Sequence, residues 1–275
     1  MAETCIVTVA HGRHSHLEHQ LRLLTHTDPD SAQVVVAIED RGIAQVVQDH
    51  RGQRDVDVIS LDSHPLGLPL AWARNMGVRH ALARGADLIV LLDVDCVLGE
   101  GTMATYAEAA ALSGPALLCG PVSYLREGTP PPPLPEDLRG LRGPHPARPD
   151  LARGTLLTSG DHNLFWSLNA ALTRETWSQV GGFCEDYVGY GGEDTDFGWT
   201  ARAHGVDLVW VGGADAYHQH HPVSSPPVEH LEAIVRNAQL FHGRWGHWPM
   251  LGWLEAFAER GLVFFDGHTL HAATT

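Results

Sequence analysis

Residues 87–95 read Asp-Leu-Ile-Val-Leu-Leu-Asp-Val-Asp (DLIVLLDVD), and this stretch decides how the chain folds. The apolar run Leu88 to Leu92 stops abruptly at two carboxylates, Asp93 and Asp95, with Val94 between them. Strands covered on both faces lose their polar alternation, so the run predicts a buried parallel strand. Asp93 and Asp95 then stand at its C-terminal end, where open α/β sheets bind ligands. With an apolar residue between them, both are expected to project the same way. Carboxylates held this close repel unless a cation lies beside them. The pattern points to a divalent metal and, with it, a phosphate-bearing substrate. Aspartates that merely solvate a loop are the plainer alternative.

Working outward, Thr4–Ala10 (TCIVTVA), Gln33–Ile38 (QVVVAI) and Val56–Ser60 (VDVIS) read as further strands. Between them, His14–His26, Gly42–His50 and Leu68–Arg84 carry helical spacing, and Gly85 closes the last of these. Strands alternating with helices predict an α/β fold, Rossmann-like, with a mostly parallel central sheet flanked by helices. Glu127–Asp150 differs, with PPPPLPED and GLRGPHPARPD. Proline lacks the donor and the dihedral freedom of regular structure, so a long surface loop is expected, mobile or partly extended. Beyond it, Leu164–Leu172 reads as a strand. Thr173–Gln179 reads as a helix capped by Thr173 and ended by Gly181-Gly182, and Val206–Val211 as a last strand. Val228–His242 reads as an amphipathic helix. One domain over 1–275 accounts for this order: a nucleotide-binding half (1–100), an acceptor and catalytic half (101–225) holding the proline-rich loop 127–150, and a helical extension (226–275).

The bulk composition narrows the function. The 275 residues are 44% hydrophobic, with 33 acidic and 18 basic side chains and a net charge of -15. A nucleic-acid partner needs a basic footprint, which this charge argues against. An anionic substrate would also be repelled, unless a bound cation, local arginines or a helix N-terminus offsets the field. Cys5, Cys96, Cys119 and Cys184 lie far apart without metal or disulfide spacing and read as reduced thiols. No apolar stretch reaches the length of a membrane span, and the N-terminus runs into a strand without a signal pattern. These features lead to the expectation of a cytoplasmic enzyme, free or peripheral to a membrane. Nothing in the sequence sets its oligomeric state.

Four other stretches carry chemistry. Gly181–Arg202 (GGFCEDYVGYGGEDTDFGWTAR) crowds glycines and aromatics before a helix whose first turn holds Glu193, Asp194 and Asp196. Acidic capping of a helix explains one or two of those carboxylates, but not the glycine and aromatic scaffold ahead of them. Tyr217–His221 (YHQHH) follows the last strand and offers histidines as metal ligands. Most other histidines, such as His14, His16 and His19, read as solvated. Arg74, in Ala73–Gly77 (ARNMG), could hold a diphosphate or a carboxylate, or be a surface arginine. Glu39-Asp40 ends the second strand, where a carboxylate could meet a ribose or a base.

Together IVTVAHGR, VVVAIED, ARNMG, LLDVD, GGFCEDYVGYGGEDTDFGWTAR and AYHQHH resemble the family-2 glycosyltransferases of the GT-A fold. The C-terminal half also resembles the galactosyltransferase and polypeptide N-acetylgalactosaminyltransferase group. The resemblance covers roughly residues 4–225, in the order such enzymes use. It implies a metal-dependent, inverting transfer of a hexose or N-acetylhexosamine from a UDP-sugar to a glycan, lipid or small-molecule hydroxyl. Asp40 would hold the uracil or ribose, with Ala10 and Arg13 lining that pocket and Arg74 along the phosphates. Asp93 would contact the ribose or sugar. Asp95 would ligate Mn2+ or Mg2+ with His218, ahead of His220 or His221. Asp194 would be the general base, with Glu193 holding acceptor or donor sugar, and Trp166 and Asn169 would floor the donor-sugar and acceptor site. His11-Gly12 and the proline-rich insertion depart from the family's usual pattern and leave the acceptor open. The competing readings are a nucleotidyltransferase acting on sugar phosphates, disfavoured by the lack of a lysine in HGRHSH, and a non-catalytic sugar-nucleotide-binding module.

Overall fold

The computed structural model describes residues 3–132 and 134–273. Its first part alternates strands and helices: β1 (Thr4–Ala10), α1 (His14–Thr27), β2 (Ala32–Ile38), α2 (Arg41–His50), β3 (Val56–Leu61), α3 (Leu70–Ala83) and β4 (Leu88–Leu92). All of β4 is buried, as its unbroken apolar run requires. Next come β5 (Cys96–Leu98), α4 (Thr102–Ser113), β6 (Ala116–Cys119) and β7 (Val122–Tyr124). Past the proline-rich stretch lie β8 (Leu156–Ser159), β9 (Asn169–Thr173), α5 (Arg174–Val180), α6 (Glu193–Ala203), β10 (Asp207–Val211) and β11 (Ala216–His218). Two more helices, α7 (Leu231–Trp245) and α8 (Leu251–Glu259), precede a hairpin of β12 (Val263–Phe265) and β13 (Leu270–Ala272).

The main sheet runs β3-β2-β1-β4-β9-β6-β10-β8. β1 to β4 are mutually parallel, as are β6 and β10. β9 is antiparallel to both its neighbours, and β8 to β10. Helices cover both faces, and β2 shows why its residues are uniformly apolar. Val34 and Val36 enter the core under α3, while Val35 and Ala37 enter the core under α1 and α2. A second, three-stranded sheet, β5-β11-β7, stands at the C-terminal end of β4.

Several expectations are corrected. The strand anticipated at Leu164–Leu172 begins only at Asn169, because His162–Leu164 form a 3-10 turn and the chain bends before pairing with β4. The helix expected from Val228 starts at Leu231, after Pro226-Pro227 and a 3-10 turn. The proline-rich loop is not a free strap. Its 3-10 turn, Pro135–Leu141, buries Leu138 completely beside Leu23, Val97, Leu125 and Tyr217. Arg148 is 2% exposed, donates to the Gly120, Asn169 and Trp166 carbonyls, and lies over the rings of Trp166 and Trp210. His19 is buried rather than solvated, its ring nitrogens 2.8 Å from Gln219 Oε1 and 2.9 Å from the Pro132 carbonyl. The four cysteines are free, as expected. Among the described residues no helix is long and apolar enough to cross a membrane.

Asn169, expected on the floor of the site, is instead a fully buried strut. Its amide donates to the Pro121 and Ala214 carbonyls, and its oxygen accepts from Tyr106, whose hydroxyl in turn accepts from the Gly120 N–H. Truncating it strands buried donors and acceptors. Asn169→Ala is expected to cost about 3 kcal/mol of stability, measured by urea unfolding.

Candidate active site

The turn after β4 is held by side chains that reach it from the core. Gln20, on the apolar face of α1, donates to the Asp93 and Cys96 carbonyls at 2.8 and 2.6 Å. Its own oxygen accepts from Thr8 and Gln33, so a buried polar network runs from β1 and β2 to the turn. Strand alternation stops at Leu92, because residues 94 and 95 form a turn. Asp93 and Asp95 therefore meet different partners instead of projecting together. Asp93 lies 3.6 Å from Arg74, and Asp95 lies against two histidines.

The small sheet builds the Asp95 side. In its register β11 places His218 opposite Cys96, the residue after Asp95, and the Gln219 N–H donates to the Asp95 carbonyl at 2.7 Å. His218 Nε2 is then 3.5 Å from Asp95 Oδ1, and His221 Nε2 is 3.2 Å from Asp95 Oδ2. One ligand atom from each of these three residues lies within 4.8 Å of the others. Tyr124, at the end of β7, stacks on His218 with centroids 4.6 Å apart. His221, ranked below His218 on sequence, thus joins the cluster, while His220 is exposed and lines the same cleft outside it. Burial alone would raise the Asp95 carboxyl, but the hydrogen bond from His221 and the charges of His218, His221 and Arg13 hold it below its ordinary value. Burial lowers His218, and the bond to Asp95 raises His221. One carboxylate and two imidazoles fit a divalent ion, and this mixed donor set suits Mn2+ better than Mg2+, which favours all-oxygen surroundings.

The other side is an acidic cluster around one guanidinium. Arg74, on α3 and 7% exposed, donates to Glu193 at 3.0 Å and lies 3.8 Å from Asp194. Its burial removes the surface-arginine reading. Glu193 is raised by burial and by Asp194, against the pull of Arg74. Asp93 is raised too, by burial first, then by Asp95, Asp194 and Glu193. Asp194 Oδ2 accepts from the Ser167 N–H at 2.8 Å and its hydroxyl at 3.0 Å, whereas Oδ1 is buried 3.8 Å from Arg74 and has no hydrogen-bond partner among the described residues. The glycine run places α6 here: Gly189, Gly191 and Gly192 all have positive φ, which side chains with a Cβ rarely adopt. Asn75 ties α3 to the same loop, exchanging hydrogen bonds with the backbone of Phe183. Asp196 has a different task. It is 1% exposed and accepts from Tyr187, Arg244 and Trp245, joining α6 to α7.

A cleft of about 850 Å3 holds Asp93, Asp95, His218 and His221 together with Arg13, Tyr190 and Trp253. Ala10 is buried at the end of β1. Arg13 is exposed and left-handed, with φ 56°. Asp40 caps α2 and accepts from the Gly12 and Gly42 N–H groups and from His14, so it shapes the first loop with both oxygens engaged. Trp166 lies under Arg148, edge-on to His145 at 5.4 Å.

This architecture has solved counterparts. Over 87% of the chain it superposes on S. aureus TarS 1-349 in complex with UDP, with TM-score 0.61, 14% identity and 65% of that chain covered. It matches GalNAc-T7 with UDP, GalNAc and Mn2+ over 87% of this chain and 48% of that one, with TM-score 0.59 and 15% identity. The chain has the GT-A fold. Within the GT-A frame, residues 160–222 match the family model described as the N-terminal domain of galactosyltransferase, the segment holding Ser167, Glu193, Asp194, His218 and His221. Validoxylamine A glucosyltransferase of Streptomyces hygroscopicus subsp. limoneus is 29% identical over 74% of this chain. The chain spans about half the length of that relative, 49%.

Sequence reasoning passed over Gln20, Ser167 and Arg148. Gln20 had a signal, a polar residue on the Leu17–Leu21–Leu24 face of α1, whereas Ser167 and Arg148 had none. The metal reading yields a pH test. Metal binding needs both imidazoles unprotonated. Because His221 is raised above 6.5, proton competition begins above that value, so Mn2+ affinity measured by calorimetry should fall as pH decreases through neutrality. His218, lowered by burial, competes only further down. His221→Ala is expected to remove the upper limb and weaken Mn2+ binding at least about tenfold.

Proposed function

We propose that this chain is a metal-dependent, inverting glycosyltransferase that moves a hexose or N-acetylhexosamine from a UDP-sugar to an acceptor hydroxyl. The observation that carries this reading is the meeting of Asp95, His218 and His221, one ligand atom from each within 4.8 Å of the others, in a cleft that also holds Asp93, with Asp194 sharing Arg74 with Asp93 and oriented by Ser167. The GT-A neighbours with bound UDP and the glucosyltransferase relative support it.

The chemistry follows from the residues. Asp95, His218 and His221 would hold the divalent ion, which when bound neutralises charge on the diphosphate. Arg74 fixes Asp93, Glu193 and Asp194 in one constellation, leaving Asp93 to face the ribose or donor sugar and Glu193 to orient a sugar hydroxyl through its polar edge. The Asp194 carboxylate, whose side chain is 23% exposed, takes the acceptor proton as the acceptor oxygen bonds to the anomeric carbon and the bond to UDP breaks on the opposite face. A single displacement of this kind inverts the anomeric centre. Ser167 keeps the carboxylate oriented through the step. A nucleotidyltransferase would place a lysine and a phosphate-cradling glycine loop after β1, and here that loop is His11-Gly12-Arg13 braced on Asp40.

UDP release from a panel of UDP-sugars with Mn2+ tests the assignment, and tight UDP binding without any release would leave a binding module in its place. Asp194→Asn is expected to cut turnover by about two to four orders of magnitude while UDP affinity stays close to wild type. Wild-type-like turnover in that variant would remove Asp194 as the base. Asp95→Ala should abolish metal-dependent UDP binding by calorimetry, and unchanged affinity would refute it as a ligand.

A further inference from the structure

Beside the catalytic cleft lies a second cavity, of about 570 Å3. Four indoles wall it: Trp166 from the bend before β9, Trp199 from α6, and Trp248 and Trp253 from the α7–α8 connection and the start of α8. Trp253 also lines the catalytic cleft, so the two spaces share a wall. Thr195, the residue after Asp194 in the first turn of α6, lines the groove as well.

The indoles are held in place. Trp199 donates to Asn163 at 2.8 Å and packs edge-on against Phe241 and Trp245. Trp248 donates to the Gly267 carbonyl at 3.0 Å and stacks on His242 with centroids 4.0 Å apart. All four rings are partly exposed, so they present surface to the groove.

The lining is unusual for this chain. The chain carries a net charge of -15, yet among the described residues no Asp, Glu, Lys or Arg side chain lines the groove. A phosphorylated or carboxylated occupant would be desolvated there without a counter-ion. A six-membered polyhydroxylated ring suits it, because the C–H face of the ring packs on an indole while its hydroxyls reach Asn163, Thr195 and His247 at the edges. The volume exceeds what one such ring fills and falls in the range of larger small-molecule sites.

We propose that this groove is an extended acceptor subsite for neutral polyhydroxylated rings beyond the one that reacts at Asp194. The acceptor is then a neutral, oligosaccharide-like molecule of two or more rings. This assignment rests on the glycosyl-transfer reading and adds the acceptor's chemical class to it.

Gly252 supplies a clean test. It lines the groove at the start of α8, and a Cβ there would meet nothing within 4 Å, so the position has room to start a side chain and Gly252→Trp is the blocking variant. Saturation-transfer NMR with neutral gluco-, galacto-, xylo- and chito-oligosaccharides of increasing length, alongside UDP calorimetry, is the measurement. In at least one series, members of two or more rings should bind about tenfold more tightly than the monosaccharide. Gly252→Trp and Trp199→Ala should erase that gain and leave UDP affinity unchanged. Length-independent binding in every series, a gain that survives both variants, or stronger binding of a sulfated saccharide or a dodecyl chain would overturn the subsite. Failure of the wild-type protein to bind UDP would instead sink the transfer reading beneath it.

Discussion

Three carboxylates from two distant stretches of chain share one buried guanidinium, and the rest of the site depends on this arrangement. Arg74 reaches Asp93 at the end of β4 and Glu193 and Asp194 at the start of α6. Its own burial opposes the charge, but the three carboxylates outweigh that and hold Arg74 firmly protonated. Negative charge still exceeds positive charge in the cluster, so the cleft is built to receive cations or hydroxyl protons more readily than bare anions. That excess makes sense beside Asp95, His218 and His221, whose donor set suits a divalent ion that a diphosphate could share.

Two structural devices bring these groups together. The first is the small sheet, whose β5–β11 register sets His218 across from the residue after Asp95 and leaves only a short excursion for His221 to return to the same carboxylate. The second is the glycine loop, whose left-handed residues turn the chain so that α6 starts directly against Arg74. Behind both stands Gln20, which pins the turn after β4 through its backbone. The proline-rich segment adds a brace on the far side. Arg148 packs over Trp166, and Leu138 plugs a pocket beside β5, which turns an irregular stretch into a fixed wall.

The pattern of residues along the chain was enough to place the parallel half of the sheet, the strand end that carries Asp93 and Asp95, and the glycine-rich approach to Asp194. These are local matters: apolar periodicity, strand length and the dihedral demands of glycine act over a few neighbouring residues. Where the reading failed, long-range contact had overruled local preference. Asn169 looked like a site residue and is a buried strut because β9 inserts antiparallel between two parallel sets of strands. His19 looked solvated until Gln219, 200 residues away in the chain, came to rest against it.

By itself, then, the sequence determined an α/β sheet of nucleotide-binding type and the residue types able to bind a metal and move a proton. Only the tertiary structure decided which of them meet. It chose His221 over His220, matched Ser167 to Asp194, set Arg74 against Glu193 and gathered four tryptophans around one groove. The physical reason is that each of these pairings depends on the twist and order of strands far apart in the chain, which no local propensity encodes.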